Sequence, residues 1–267
     1  MRRWSTLALL LAFSTTTKAQ VAKPRDSTGV VPQFVRFADV FGGRLVAAFQ
    51  AIPAAKYNYR PTAAQQTIGH IAQHLETANY GLCERLGRRH PRTAKDSLAD
   101  SVKAMWPKDT LVARLDASLR FCDDVLQQLG PLTPQTASTL VGFETDLAEH
   151  YSQIAVYMRL LGLVPPSAIP PKQHTAITLS ESALRPLVGR YELNPGWQLV
   201  VTTNGEGLMV QSTVGGGPAV RLWPESTTDF FVKEVDAQIK FVRGSNASVT
   251  GLVLHQYGRD RPATKLP

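Results

Sequence analysis

The hydrophobic pattern of this chain changes period once, and the change falls at a proline-rich segment. Up to about residue 163 apolar residues recur every three or four positions. Beyond residue 180 they alternate in short runs separated by turn residues. A period of 3.6 builds helices that bury a stripe, and a period of two builds strands that bury a face. A chain carrying both in succession is an α+β protein with two domains. The expected order is a four-helix bundle over 30–163, a proline-rich linker over 164–178 and a small antiparallel β-barrel or sandwich over 179–267.

Within the first part, Phe34, Phe37, Phe41 and Leu45 space a helix over 32–50. Thr62 to Gln65 matches a capping box, so a second helix is expected from Thr62 to about Leu86, with Ile68, Ile71, Leu75 and Leu82 as its stripe. A shorter helix is expected over 96–105, a third long one over 108–129 and a fourth over 134–161, with Gly162 as its C-terminal cap. Four amphipathic helices with moderate loops make a bundle. Pro165, Pro166, Pro170 and Pro171 make the linker stiff and extended, with few groups to knit the halves together. Each half is therefore expected to fold alone. In the second part, strands are expected over 188–193, 198–203, 208–212, 220–223, 229–233, 238–243 and 249–255, with Asn204-Gly205 as a hairpin signal. Seven or eight short strands so closely spaced suit a small closed or sandwiched sheet.

Met1-Arg2-Arg3, the apolar run Leu7 to Phe13 and the small residues before Gln20 follow the layout of a secretory signal peptide over 1–19. The run is shorter than the roughly 20 residues a membrane-spanning helix needs, and no later segment is long and apolar enough to span. The expected location is secreted or periplasmic. The formal charge of +8 is scattered. Its densest group, Arg85, Arg88, Arg89, His90 and Arg92, suits a helix C-terminus, where cations are favoured. An exported protein of this kind is not expected to bind nucleic acid. The two cysteines, Cys83 and Cys122, are too far apart in sequence for a CxxC motif. In an oxidising compartment they can pair, and the alternative is two buried thiols.

The histidines carry the chemistry. His90, His174 and His255 read as surface or structural residues without obvious partners. His70 and His74 share a face of the second helix. His74 lies inside the apolar stripe, and His70 lies at its edge. On the fourth helix Asp146 and His150 are also four apart, among Phe143, Leu147 and Ile154. Two imidazoles and a carboxylate turned inward need each other or a metal, because burying them unpaired is costly. Such a set suits zinc, nickel, iron or manganese, and three protein ligands leave coordination positions open. Both readings, an internal hydrogen bond and a divalent metal site, stay open on spacing alone.

The stretches Thr67 to His74, Glu149 to Arg159 and Gly162 to Pro166, with Tyr57 to Thr62 upstream, resemble the DinB-like family over roughly 33–166. That resemblance implies a metal held by one histidine on the second helix and an HxxxH pair on the last, and relates the chain to metal-dependent thiol transferases and isomerases. His74 and His150 match; Asp146 stands where the family has histidine. Leu187 to Leu193, Leu222-Trp223-Pro224, Phe230-Phe231 and Ile239 to Phe241 resemble the small lipocalin-like domain appended to β-lactamase-like serine hydrolases. No SxxK or GxSxG motif accompanies it, and Asn246-Ala247-Ser248 reads as a turn.

Two functions follow. One is an exported metal-dependent hydrolase or thiol-transferase-like protein acting on a small molecule, with His74, Asp146 and His150 as ligands. The other is a non-catalytic binding or scaffold protein with a degenerate metal site, whose β-domain holds a ligand or partner. Self-association through the β-domain is compatible with either.

Overall fold

The structure, a computed structural model, describes residues 30–170, 172–214, 217–256 and 258–267. The expected signal peptide over 1–19 lies outside the described residues. The helical half contains α1 (Val31–Ala51), α2 (Ile68–Glu84), the short α3 (Asp100–Lys103), α4 (Lys108–Leu126) and α5 (Pro134–Leu160). The four long helices form the bundle. α1 packs on α4 and α5, and α2 packs on the same two, so each long helix has two neighbours. Phe49, Ile71, Leu75, Leu115, Phe143 and Leu147 are fully buried at the centre. Cys83 on α2 and Cys122 on α4 form a disulfide, with Cα atoms 5.4 Å apart.

Helix starts and stops follow from where backbone groups find partners. α2 begins at Ile68, not near Thr62. Thr62 to Gln65 instead closes a turn, in which the Gln65 N–H donates to the Thr62 carbonyl at 3.1 Å. The preceding loop supplies what a helix N-terminus lacks. The carbonyls of Tyr57 and Tyr59 accept from Gly69 and Ile68 at 2.8 and 3.1 Å, and the Thr67 hydroxyl accepts from His70. A Cβ on Gly69 would stand 2.3 Å from the Ala104 carbonyl oxygen, so only glycine lets the first turn of α2 meet the end of α3 this closely. At the far end of α5, Gly162 adopts φ +73°, and the Leu163 N–H reaches back to the Met158 carbonyl at 2.8 Å.

The second half opens with α6 (Glu181–Leu184). It continues through β1 (Gly189–Asn194), β2 (Trp197–Thr203), β3 (Leu208–Ser212), β4 (Val220–Pro224), β5 (Asp229–Val232), β6 (Ala237–Arg243), β7 (Val249–Gln256) and β8 (Arg259–Lys265). Each strand pairs antiparallel with the next, and β1 meets β8, which closes an eight-stranded up-and-down barrel. This settles the choice between barrel and sandwich. The Asn204-Gly205 turn joins β2 to β3, with the Asn204 side chain accepting from the N–H groups of Glu206 and Gly207. β8 is a strand that hydrophobic alternation does not reveal, because its inward positions are Arg261 and Ala263. Its Pro262 is tolerated because β8 pairs with β1 only at Thr264 and Lys265, where no proline nitrogen is asked to donate.

The two halves have separate apolar cores, but more than the linker joins them. Arg261 leaves the barrel buried and bonds Asp39 on α1 and Asp123 on α4, the latter at 3.0 Å. Arg259 lies 3.3 Å from Asp39, and Asn194 donates to Gln127. The contacts that join the halves thus lie outside the linker. A buried arginine shared between two carboxylates cannot be separated without leaving charge in an apolar junction.

Candidate metal centre

The apolar stripe of α2 and that of α5 face each other, and this carries His74, Asp146 and His150 to one seam of the bundle. Ile71 and Leu75 flank His74, and Phe143 and Leu147 flank Asp146; all four are fully buried. His74 Nε2 lies 3.6 Å from Asp146 Oδ1, and His150 Nδ1 lies 3.5 Å from the same oxygen. The imidazole centroids are 4.8 Å apart. One ligand atom from each residue can be chosen so that all three fall within 4.8 Å of one another. The side chains grade from closed to open: His150 is 12% exposed, Asp146 20% and His74 38%. The open side of the cluster is therefore the His74 side.

Hydrogen bonding orients these groups. His150 Nδ1 lies 2.8 Å from the carbonyl oxygen of Asp146, one turn back on its own helix. A carbonyl only accepts, so Nδ1 carries the proton and the Nε2 lone pair is free to ligate. The Asp146 carboxylate facing His74 pushes that imidazole above its usual pKa, against the opposing pull of burial. Asp146 Oδ2 is buried and has no hydrogen-bond partner among the described residues. The imidazoles approach the other oxygen, Oδ1, and a buried, orphaned oxygen on the same carboxylate is expensive without a cation. The donor set N, O, N therefore fits a divalent metal of the zinc, nickel, iron or manganese type. Two ligand atoms on one such ion stand roughly 3.4 Å apart for ~2.1 Å bonds in tetrahedral geometry. The 3.6 Å edge from His74 Nε2 to Asp146 Oδ1 is near this, whereas the 3.5 Å approach of His150 is made by its protonated Nδ1, so bringing Nε2 of His150 to a shared ion requires the groups to move.

His70 is not part of this group. The remaining histidines each have a partner that spacing could not reveal. His90 stacks on Tyr80 with centroids 3.6 Å apart, and His174 lies against Phe231 and 2.9 Å from Glu225. His255 pairs with Asp260 across the β7–β8 hairpin. The Asp39–Arg261–Asp123 cluster also escaped the sequence reading, since its members lie far apart in the chain and no local pattern links them.

A helical bundle with an imidazole–carboxylate–imidazole set on one seam could hold a metal ion there. Residues 40–156 match the DinB superfamily. Residues 173–264, which span the barrel, match a family described as a domain of unknown function (DUF3471). No curated protein matches the chain.

Proposed function

We propose that this is an exported protein whose bundle holds one divalent metal between His74, Asp146 and His150, for hydrolase- or thiol-transferase-like chemistry on a small molecule. The observation that carries the reading is the convergence of these three groups from two helices, with both imidazoles near Asp146 Oδ1 while Oδ2 of the same carboxylate is buried with no hydrogen-bond partner among the described residues. The match of residues 40–156 to the DinB superfamily, whose members commonly bind divalent metals, supports it. When bound, the cation would supply Lewis acidity, which both reaction types draw on. The chain's own contribution is positional. The Asp146 carbonyl fixes the His150 tautomer, the apolar stripes restrict rotation of Asp146, and the exposure of His74 leaves one side of the cluster open to solvent. Export is supported by the disulfide, which suits an oxidising compartment, and by the signal-like first residues.

A second reading, a non-catalytic binding protein, is favoured by the aspartate at the third ligand position and by an apolar cavity in the barrel. Elemental analysis of the purified protein separates the two. About one equivalent of a transition metal is expected, lost in His150→Ala and in Asp146→Ala with the helical circular-dichroism signal retained. Protein that stays metal-free after incubation with zinc, nickel, iron and manganese salts would overturn the metal reading.

A further inference from the structure

The barrel is filled along only part of its length. At one end Tyr191, Phe230 and Phe241 pack edge to face, with centroids 5.4–5.7 Å apart, and the Tyr191 hydroxyl bonds the Leu187 carbonyl below them. Toward the bundle the inward residues shorten to Val210, Val232 and Ala237, and a cavity of about 460 Å³ opens among them. The bundle forms its roof: Val31 and Val35 of α1, Leu126 at the end of α4 and Leu129 just beyond it lie over the mouth. This apolar cavity is open on one side, at a junction built by two domains, and it falls within the roughly 300–1,000 Å³ range of small-molecule sites.

The polar groups on the wall indicate its chemistry. Ser212 accepts from Trp197 and Gln127 accepts from Asn194, so both are already engaged. Asp39, the lone carboxylate on the wall among the described residues, is held by Arg259 and Arg261. Arg36, exposed at the mouth, is the one cationic side chain on the described wall. An apolar chamber with a cationic rim suits a ligand that is apolar along its body and negative at one end.

We propose that the barrel mouth binds a small amphiphile of this class, such as a medium-chain carboxylate, with its tail among the short aliphatic side chains and its anionic end at Arg36. This site is independent of the metal reading, because the candidate ligands lie on the α2–α5 seam and the roof is built from α1 and α4. The test is calorimetric titration of the full protein with dodecanoate and with dodecanol, both below their aggregation limits. Saturable binding of dodecanoate at one site is expected. Arg36→Gln should weaken dodecanoate roughly tenfold, the loss of about one charge-assisted hydrogen bond, and leave dodecanol unchanged. Ala237→Trp, which places an indole in the chamber, should abolish uptake of both. Val210→Phe serves the same purpose if circular dichroism shows that the tryptophan variant is unfolded. Absence of saturable uptake, or uptake that survives cavity filling, would overturn the proposal. Arg36→Gln leaving dodecanoate affinity intact would overturn the anionic half of it.

Discussion

Glu144, on α5, keeps both carboxylate oxygens buried and without a hydrogen-bond partner among the described residues. Burial, reinforced by nearby Asp39, pushes its pKa up to about 8 from an ordinary 4.5. The folded state therefore binds a proton that the unfolded state has released across this interval. The stabilising contribution is full below about pH 4.5 and is lost as pH rises toward 8. Burial also raises the pKa of Asp39, against the pull of Arg261, and so acts in the same direction, but Asp39 is common to wild type and a Glu144→Gln variant. The variant should gain stability over the wild type progressively from pH 4.5 to 8, read from thermal midpoints at several pH values. Parallel curves would show that Glu144 is not desolvated. At this scale the candidate site was legible where it follows helical spacing. His74 and His150 lie inside apolar stripes, and an inward imidazole in a stripe declares itself. The partners of His90 and His174 were not legible, because stacking on Tyr80 and on Phe231 depends on elements distant in sequence.

Among the elements, α2 and α4 are cross-linked by Cys83–Cys122 across a sequence separation of 39. A bridge over a loop of this length removes freedom from the unfolded chain and stabilises by about 2–4 kcal/mol. Cys83→Ser, or reduction of the intact protein, should lower the unfolding free energy by that amount in denaturant titration. A change below about 0.5 kcal/mol would mean that the helices are held by packing alone. The elements themselves show which signals a sequence carries. Strong 3.6 and 2.0 periodicities placed the four long helices and seven of the strands. α2 started later than its capping-box pattern suggested because the Tyr57 and Tyr59 carbonyls, not the Gln65 side chain, meet its first N–H groups. β8 has an arginine facing inward, so no hydrophobic alternation existed to be read.

At the level of the whole molecule, that inward arginine joins the domains. Arg261→Ala would leave Asp39 and Asp123 facing each other at a dry junction, and breaking one partner of a buried ion network costs about 3–5 kcal/mol. The variant should unfold at markedly lower denaturant than the wild type. A loss under about 1 kcal/mol would show the junction to be wet and weak. The sequence by itself determined the fold class, because the period of burial follows from local backbone geometry and each half has its own apolar residues in register with it. It also placed His74, Asp146 and His150 on the apolar sides of their helices, since helical spacing alone fixes which residues share a face. Tertiary structure alone decided that His74 meets Asp146 and His150 and that Asp39 meets Arg261 across 222 residues. It alone also left the barrel mouth open beneath α1 and α4. These are contacts between elements distant in the chain. Their geometry is fixed by how helices and sheet pack, and packing has no periodic trace in the sequence.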